Sequence, residues 1–363
     1  MSNILLLEPF WAQSHASWAE GYKQFSNHNI QILKLEGRHW KWRMHGGAVT
    51  LAGQFQQLNF QPDLVLATDM LDVTTFQSLC RKELSEVPFA LYFHENQLSY
   101  PWSPKDTDKR FQRDNHYGFI HFLSCLASDA VFFNSSYHLS SFTDELKKLL
   151  HHFPDHKLGY KMEEVMAKSK VLHLGMDLSR FDQHRAEKTS DKPLLLWNHR
   201  WEYDKNPTDF FRALQQLKAT GLDFDVALLG ERFDEIPPVF KEGIENLKGH
   251  IATKDYAKDF ATYAQWLWKA DILPVTSNQD FFGGSVIEAM YCECVPFLPN
   301  RLAYPEHAGE DWRYDSFEEL ISGLSQLIKG FRNTDTTVFR DSAARYRWEL
   351  QAPIYDKALE KLL

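Results

Sequence analysis

The chain has 363 residues, of which 44% are hydrophobic and 25% charged, and its formal net charge is −9. That length suits two domains of ordinary size, and the composition is that of a folded chain rather than a disordered one. The negative balance excludes a general affinity for nucleic acid, so any RNA or DNA contact needs a local basic patch.

The opening residues Met1 to Phe10 form a short apolar run that leads into a strand, without the basic flank and small-residue cleavage site of a signal peptide. No run of about 18 apolar residues is present, which predicts no membrane span and no membrane partner. Cys80, Cys125, Cys292 and Cys294 lack zinc-type spacing and are too few for a disulfide framework. Cys292 and Cys294 could bind a soft metal, but a reduced structural pair is the preferred reading. These features together predict a reducing, cytoplasmic location.

In chain order, the apolar runs Ile4–Leu7, Ile30–Leu35, Leu64–Ala67, Phe89–Phe93, Val131–Asn134 and Val171–Leu174 read as buried parallel strands. Helical patterns lie between them at Leu71–Leu84, Tyr117–Ser128 and Ser136–Leu149. After Asp177 a polar stretch through Arg185, Glu187, Lys188 and Asp191 to Pro193 reads as a linker. The alternation restarts with Leu194–Trp197, a helix from Asn206, Val226–Leu229, a helix across Tyr256–Trp268, Ile272–Val275, a helix from Gly284, and Val295–Leu298. The tail from Phe339 is helical, with Trp348 as its apolar anchor. The pattern predicts an α/β chain of two Rossmann-like domains, residues 1–178 and 179–363. In such sheets ligands bind beyond the carboxyl ends of the strands, so the residues just after each strand are the candidates for function.

After the strand Ile272–Val275 comes Asp280-Phe281-Phe282-Gly283-Gly284-Ser285-Val286-Ile287-Glu288. Gly283 and Gly284 let backbone approach a ligand, and the helix starting there offers amides and a positive dipole end to a phosphate. Ser285 and Glu288 share one helix face, which places a carboxylate one turn in for ribose hydroxyls. A glycine turn with a solvated glutamate is the alternative. After Leu194–Trp197, Arg200 and Lys205 flank the mouth of the same region, and Asn206 with Pro207 caps the next helix. Two cations there suit a diphosphate that must leave; ordinary surface cations remain the alternative.

Arg200 and Lys205 taken with Asp280 and Glu288 resemble the donor site of retaining glycosyltransferases of family four, which implies the GT-B fold with its active site in the cleft between two domains and its last helix returning to the first domain. The resemblance implies that the Arg and Lys hold the donor diphosphate and that two acidic residues contact sugar and ribose. Asp280 departs from the Glu of that pattern and is one methylene shorter; Glu288 matches it.

Four further stretches narrow the resemblance: Leu7-Glu8-Pro9-Phe10 with Ser14, His15 and Trp18; Lys41-Trp42-Arg43; Phe93-His94-Glu95-Asn96-Gln97-Leu98-Ser99-Tyr100-Pro101; and Phe132-Phe133-Asn134-Ser135-Ser136-Tyr137. With Asn198-His199-Arg200-Trp201-Glu202, they resemble the tRNA-queuosine α-mannosyltransferase family from Leu7 to about Glu288. That resemblance implies retaining transfer of mannose from GDP-mannose to queuosine at the anticodon wobble position of aspartate tRNA. In the retaining enzymes that this chain resembles, a His at the position of His94 lies beside the transferred sugar, whereas a lone His is otherwise more often a hydrogen-bonded structural residue. From their positions, Glu95 and Asn96 could contact the acceptor or orient the loop, and His15 could approach the phosphates or the acceptor. No metal or other cofactor is expected, since Arg200, Lys205 and helix amides would take the cation's role.

The residues alone support RNA contact less directly. Arg38, His39, Trp40, Lys41, Trp42, Arg43 and His45 form a basic, aromatic loop that could pair with phosphates and stack on bases. Tryptophans packed down with solvated cations are the alternative, as they are for a second basic region at Lys105, Lys109, Arg110 and Arg113. A transferase with another donor or a small-molecule acceptor, or a catalytically silent RNA-binding relative, also fits these residues.

Overall fold

The computed structural model describes residues 1–103, 106, 108, 114–231 and 236–363. Lys105, Lys109, Arg110 and Arg113 lie outside the described residues. The chain divides into two compact units, Met1–Asp177 with Trp348–Leu363, and Leu178–Arg347. Each holds one six-stranded parallel sheet.

The first unit contains β1 (Asn3–Trp11), β2 (Asn29–Glu36), β3 (Leu64–Thr68), β4 (Phe89–Phe93), β5 (Ala130–Phe133) and β6 (Ser169–Val171). Their spatial order is β2-β1-β3-β4-β5-β6, and every neighbouring pair is parallel. Side chains alternate between the two faces, and both faces are apolar, which is why the strands read as unbroken hydrophobic runs. Leu5, Leu7, Val65, Leu91, Phe93, Val131 and Phe133 form one core with the helices Trp40–Gln56, Val73–Leu79 and Ser136–His151. Ile4, Leu6, Leu64, Leu66, Tyr92 and Phe132 form the other with the helices Gln13–Phe25 and Trp348–Leu359.

Trp348 explains how the tail joins this unit. Its fully buried indole fills a slot between Gly21 and Gly175, where a Cβ on either glycine would collide with the ring. The Trp348 backbone N–H donates to Met176 O at 3.0 Å. About two turns on, Asp356 accepts from Tyr22 Oη at 2.9 Å, Ser26 Oγ at 2.6 Å and Asn27 N at 2.9 Å. A buried carboxylate with three donors is well compensated.

The second unit contains β7 (Leu194–Trp197), β8 (Asp225–Leu228), β9 (Ile251–Thr253), β10 (Ile272–Pro274), β11 (Val295–Pro299) and β12 (Arg313–Tyr314), in the order β12-β11-β10-β7-β8-β9. The strand order reverses between β7 and β10, which opens a crevice at their carboxyl ends. Leu195, Trp197, Val226, Leu228, Ile272 and Phe297 face the helices Pro207–Ala219, Pro238–Asn246 and Phe317–Lys329.

Some local structure differs from the sequence reading. The basic aromatic stretch is not a loop: His39 adopts φ 55° and the helix Trp40–Gln56 begins at the next residue. Met44, Ala48, Leu51, Ala52 and Phe55 bury one helical face, which outweighs the three glycines of that segment. His15 likewise lies in the first turn of the helix Gln13–Phe25 rather than in a loop. The expected helix Leu71–Leu84 breaks at Cys80 into Val73–Leu79 and Arg81–Leu84.

Candidate active site

In the second unit, the segments after β7 and β10 meet at the strand-order reversal. Gly283 adopts φ +83°, a left-handed conformation that favours glycine, and the helix Gly284–Tyr291 begins immediately after it. Gly284 and Ser285 therefore form the amino end of a helix, where amides and dipole attract anions. Lys205 is buried beside it. Its Nζ donates to Gln279 O at 2.6 Å and Asp280 Oδ1 at 2.9 Å, and lies 3.3 Å from Asp204 Oδ2. Burial opposes the charge on this ammonium, but Asp280 and Asp204 outweigh it and hold its pKa above the usual lysine value. Asp280 is the mirror case: burial would raise its pKa, yet Lys205 pulls it below the usual range.

Tyr304 also donates its hydroxyl to Asp280. The short carboxylate is thus engaged on both oxygens within the unit, by Lys205 and by Tyr304. Arg200 is more open, 46% exposed at its side chain and 3.2 Å from Glu202.

A second chain of contacts ties the strand end to the helix. Ser285 Oγ lies 2.9 Å from His199 Nδ1, and Asn198 Nδ2 donates to Ser285 O at 2.8 Å. Burial pushes the His199 imidazole down to about 4, so it is neutral at pH 7. Tyr263 donates to Glu288 Oε2 at 2.7 Å, and Arg180 lies 3.9 Å from Glu288 Oε1. Burial raises the Glu288 pKa, with Tyr263 and Arg180 acting against it. Asn206 takes φ 50° and its side-chain oxygen accepts from Asp209 N at 3.4 Å, capping the helix from Pro207.

In the first unit, polar side chains collect at the ends of β1, β3 and β4. Glu8 is fully buried, accepting from Phe10 N at 2.9 Å and lying 3.1 Å from His15 Nδ1. Burial disfavours a charged His15, but Glu8, with Asp69 and Glu95 beyond it, lifts its pKa to about 9. The His15 and His94 rings stand 4.2 Å apart at 35°. His94 donates its backbone N–H to Asp69 Oδ1 at 2.8 Å, and its ring Nε2 is buried with no hydrogen-bond partner among the described residues. Burial, then the neighbouring His15 and His138, hold His94 well below the usual histidine value. Asp69 is pushed upward by burial, and its Oδ2 is also unpartnered.

The other expected acceptor residues are spread across this unit. Glu95 accepts from Gln97 Nε2 at 2.7 Å. Asn96 is buried and closes its own turn, accepting from Ser99 N at 2.9 Å and Ser99 Oγ at 2.8 Å. Lys41 is gripped by Asp106 at 2.6 Å and Asp108 at 2.5 Å, while Arg43 Nε donates to Glu36 O at 3.1 Å. Trp42 is 66% exposed.

Glu8, Asp69, Tyr263, Tyr304 and Arg180 were not singled out from the sequence as site residues. The strand-end rule points to Asp69, which follows β3 directly, and to Glu8 near the end of β1. Nothing local marks Tyr263 or Tyr304, which arrive from other segments. One ligand atom each from Glu8, His15 and His94 lies within 4.8 Å of the others, although the Glu8–His15 hydrogen bond already joins two of the three. Asp-x-Asp spacing, associated with metal-bound sugar nucleotides, occurs at Asp106–Asp108 and Asp223–Asp225. The first pair holds Lys41; Asp223 holds Lys192 at 2.8 Å and Asp225 starts β8, at the opposite strand end from the crevice. Among the described residues no helix is long and apolar enough to cross a membrane.

Two six-stranded parallel sheets, the second with a helix start and a buried lysine at its crevice, are the fold of GT-B glycosyltransferases. Solved structures of similar fold include trehalose-6-phosphate from E. coli bound with UDP-2-fluoro glucose (TM-score 0.72, 11% identity, all of both chains covered). HepE of Anabaena in complex with UDP is similar at TM-score 0.68 and 12% identity, over 99% of this chain and 100% of that one. Residues 3–176 match the model of the tRNA-queuosine alpha-mannosyltransferase N-terminal region. The tRNA-queuosine alpha-mannosyltransferase of Drosophila melanogaster is 33% identical over 342 residues, covering 90% of this chain and 87% of that protein. The chain belongs to the tRNA-queuosine α-mannosyltransferase family.

Proposed function

We propose that this protein transfers mannose from GDP-mannose to queuosine at the wobble position of aspartate tRNA, keeping the α configuration of the donor. The observation that carries the donor half is the buried Lys205 beside the Gly283–Gly284 helix start, with Glu288 one turn farther on. A diphosphate there receives helix amides and an ammonium, and Arg200 supplies a second cation. Charge that grows on the departing phosphate is met by donors already in place, so little reorganisation is needed in the transition state. Glu288 takes the ribose hydroxyls. Asp280 holds Lys205 in place, and its contact with the sugar is limited by its engagement with Tyr304. These groups do the work of a cation, and the reaction runs without metal.

In the first unit, neutral His94 contacts the transferred sugar, with His15 beside it, and Glu95 lies toward the acceptor. Trp42 and Arg43 contact the RNA. Aspartate tRNA is the partner and the cytoplasm the location. The family relationship supports this reading.

The test offers a panel of nucleotide sugars to the protein with queuosine-containing aspartate tRNA, followed by nucleoside mass spectrometry. One hexose on queuosine with GDP-mannose, in metal-free buffer, is the expected outcome. Transfer from another nucleotide sugar alone, or to tRNA lacking queuosine, would overturn the proposal.

A further inference from the structure

We propose that Glu8 is a positioning residue of the reaction, holding His15 as a fixed imidazolium against which the neutral ring of His94 packs. The inference rests on the reading of His94 as the sugar-side group and adds the device that sets its protonation.

Glu8 lies within β1, three residues before its end, fully buried, and its two oxygens have separate duties. Oε1 accepts the Phe10 N–H at 2.9 Å, which fixes the carboxylate plane, and Oε2 faces His15 Nδ1 at 3.1 Å. A buried carboxylate beside an imidazole makes the charged pair the stable form. His15 sits in the first turn of its helix, where the helix itself opposes a cation, so Glu8 is the group that retains the proton.

The next ring is His94, 4.2 Å from His15, and two imidazolium ions cannot share that spacing in a buried site. Trp18 packs edge-on to His94 at 4.6 Å and Tyr92 at 5.0 Å, closing the remaining apolar surroundings. The His94 backbone is pinned by Asp69, and its Nε2 has no hydrogen-bond partner among the described residues. The charged and titratable groups around His15 are Glu8 from β1, Asp69 after β3, and His94 and Glu95 after β4. Among the described residues only Glu8 is hydrogen-bonded to it. The result is a two-histidine unit in which burial keeps His94 neutral, and the charged His15 on one side, with His138 on the other, adds to that.

The test is the Glu8→Gln variant, which keeps an acceptor for the Phe10 N–H but removes the charge. Side-chain nitrogen NMR of the full chain is expected to show His15 as imidazolium through pH 8 in the wild type, titrating near 9. In the variant it should titrate at least about one pH unit lower. Steady-state transfer should show kcat down by about 10- to 100-fold at pH 8, with donor KM nearly unchanged. Activity should partly recover as pH falls, because the alkaline limb moves toward lower pH. Glu8→Asp should restore part of kcat and of the His15 titration.

A wild-type His15 that titrates near the ordinary histidine value would overturn the proposal. So would a Glu8→Gln pH profile that superimposes on the wild type. One equivalent of zinc retained by the wild type and lost in the variant would also overturn it, since Glu8 would then be a ligand. The NMR arm needs no substrate, so a protein that fails to transfer mannose sinks the proposed function and leaves this inference separately tested. Should Glu8→Gln fail to fold, His15→Gln provides the same kcat comparison, and wild-type NMR still decides the charge state.

Discussion

At the scale of single residues, Lys205 is the cation most firmly placed, with one carbonyl and two carboxylates around a buried ammonium. Lys205→Ala should lower kcat/KM by at least about 100-fold, read from GDP release. Because Asp204 and Asp280 lose their shared counter-ion, the variant should also lose about 3–5 kcal/mol of stability. Tyr263→Phe removes the hydroxyl that orients Glu288 and should weaken GDP binding by about tenfold, measured by calorimetry, with kcat at saturating donor little changed. His15 gives a pH test with a definite sign. Its pKa is about 9 in the folded protein and about 6.5 unfolded, so its contribution is complete below about 6.5 and is lost as pH rises through 9. That contribution is of the order of 3 kcal/mol. Urea unfolding of wild type and Glu8→Gln should therefore differ most near pH 6 and converge above pH 9; a difference that grows with pH would contradict the ion pair.

Among the elements, the last helix is anchored by one side chain. Trp348→Ala should cost about 3–5 kcal/mol in chemical denaturation of the full chain, since the Gly21–Gly175 slot cannot collapse around alanine. Central strands were legible in the sequence because both faces are apolar and the runs are unbroken, as in Ile4–Leu7 and Phe89–Phe93. The short edge strands Ile251–Thr253 and Arg313–Tyr314 were not, because two or three half-buried residues carry no period. The helix Trp40–Gln56 was hidden by its glycines and by a basic aromatic start that reads as a loop. Its buried face at Met44, Ala48, Leu51 and Phe55 was nevertheless present as a helical period. Asn206 and Pro207 announced their helix correctly, because a cap depends on neighbours in the chain alone.

For the whole molecule, a net charge of −9 means that RNA affinity must come from a few local groups. Lys41 is held by Asp106 and Asp108, so Arg43→Ala should flatten the salt dependence of tRNA binding more than Lys41→Ala does. Trp42→Ala should weaken binding by about 1–3 kcal/mol without altering that slope, as expected of a stacking ring. Filter binding across a salt series measures both. The candidate site was legible where it follows a strand or starts a helix, as at His94, Arg200 and Gly284. It was illegible where partners converge from distant segments, as Tyr304 does on Asp280 and Tyr263 on Glu288.

The most direct measurement is a crystal structure of the protein with guanosine diphosphate. The expected density places the two phosphates on the Gly284 and Ser285 amides within reach of Lys205, with the ribose on Glu288. A nucleotide seated elsewhere, with Lys205 still locked to Asp280 and the helix start empty, would contradict the donor site and the transfer chemistry built on it.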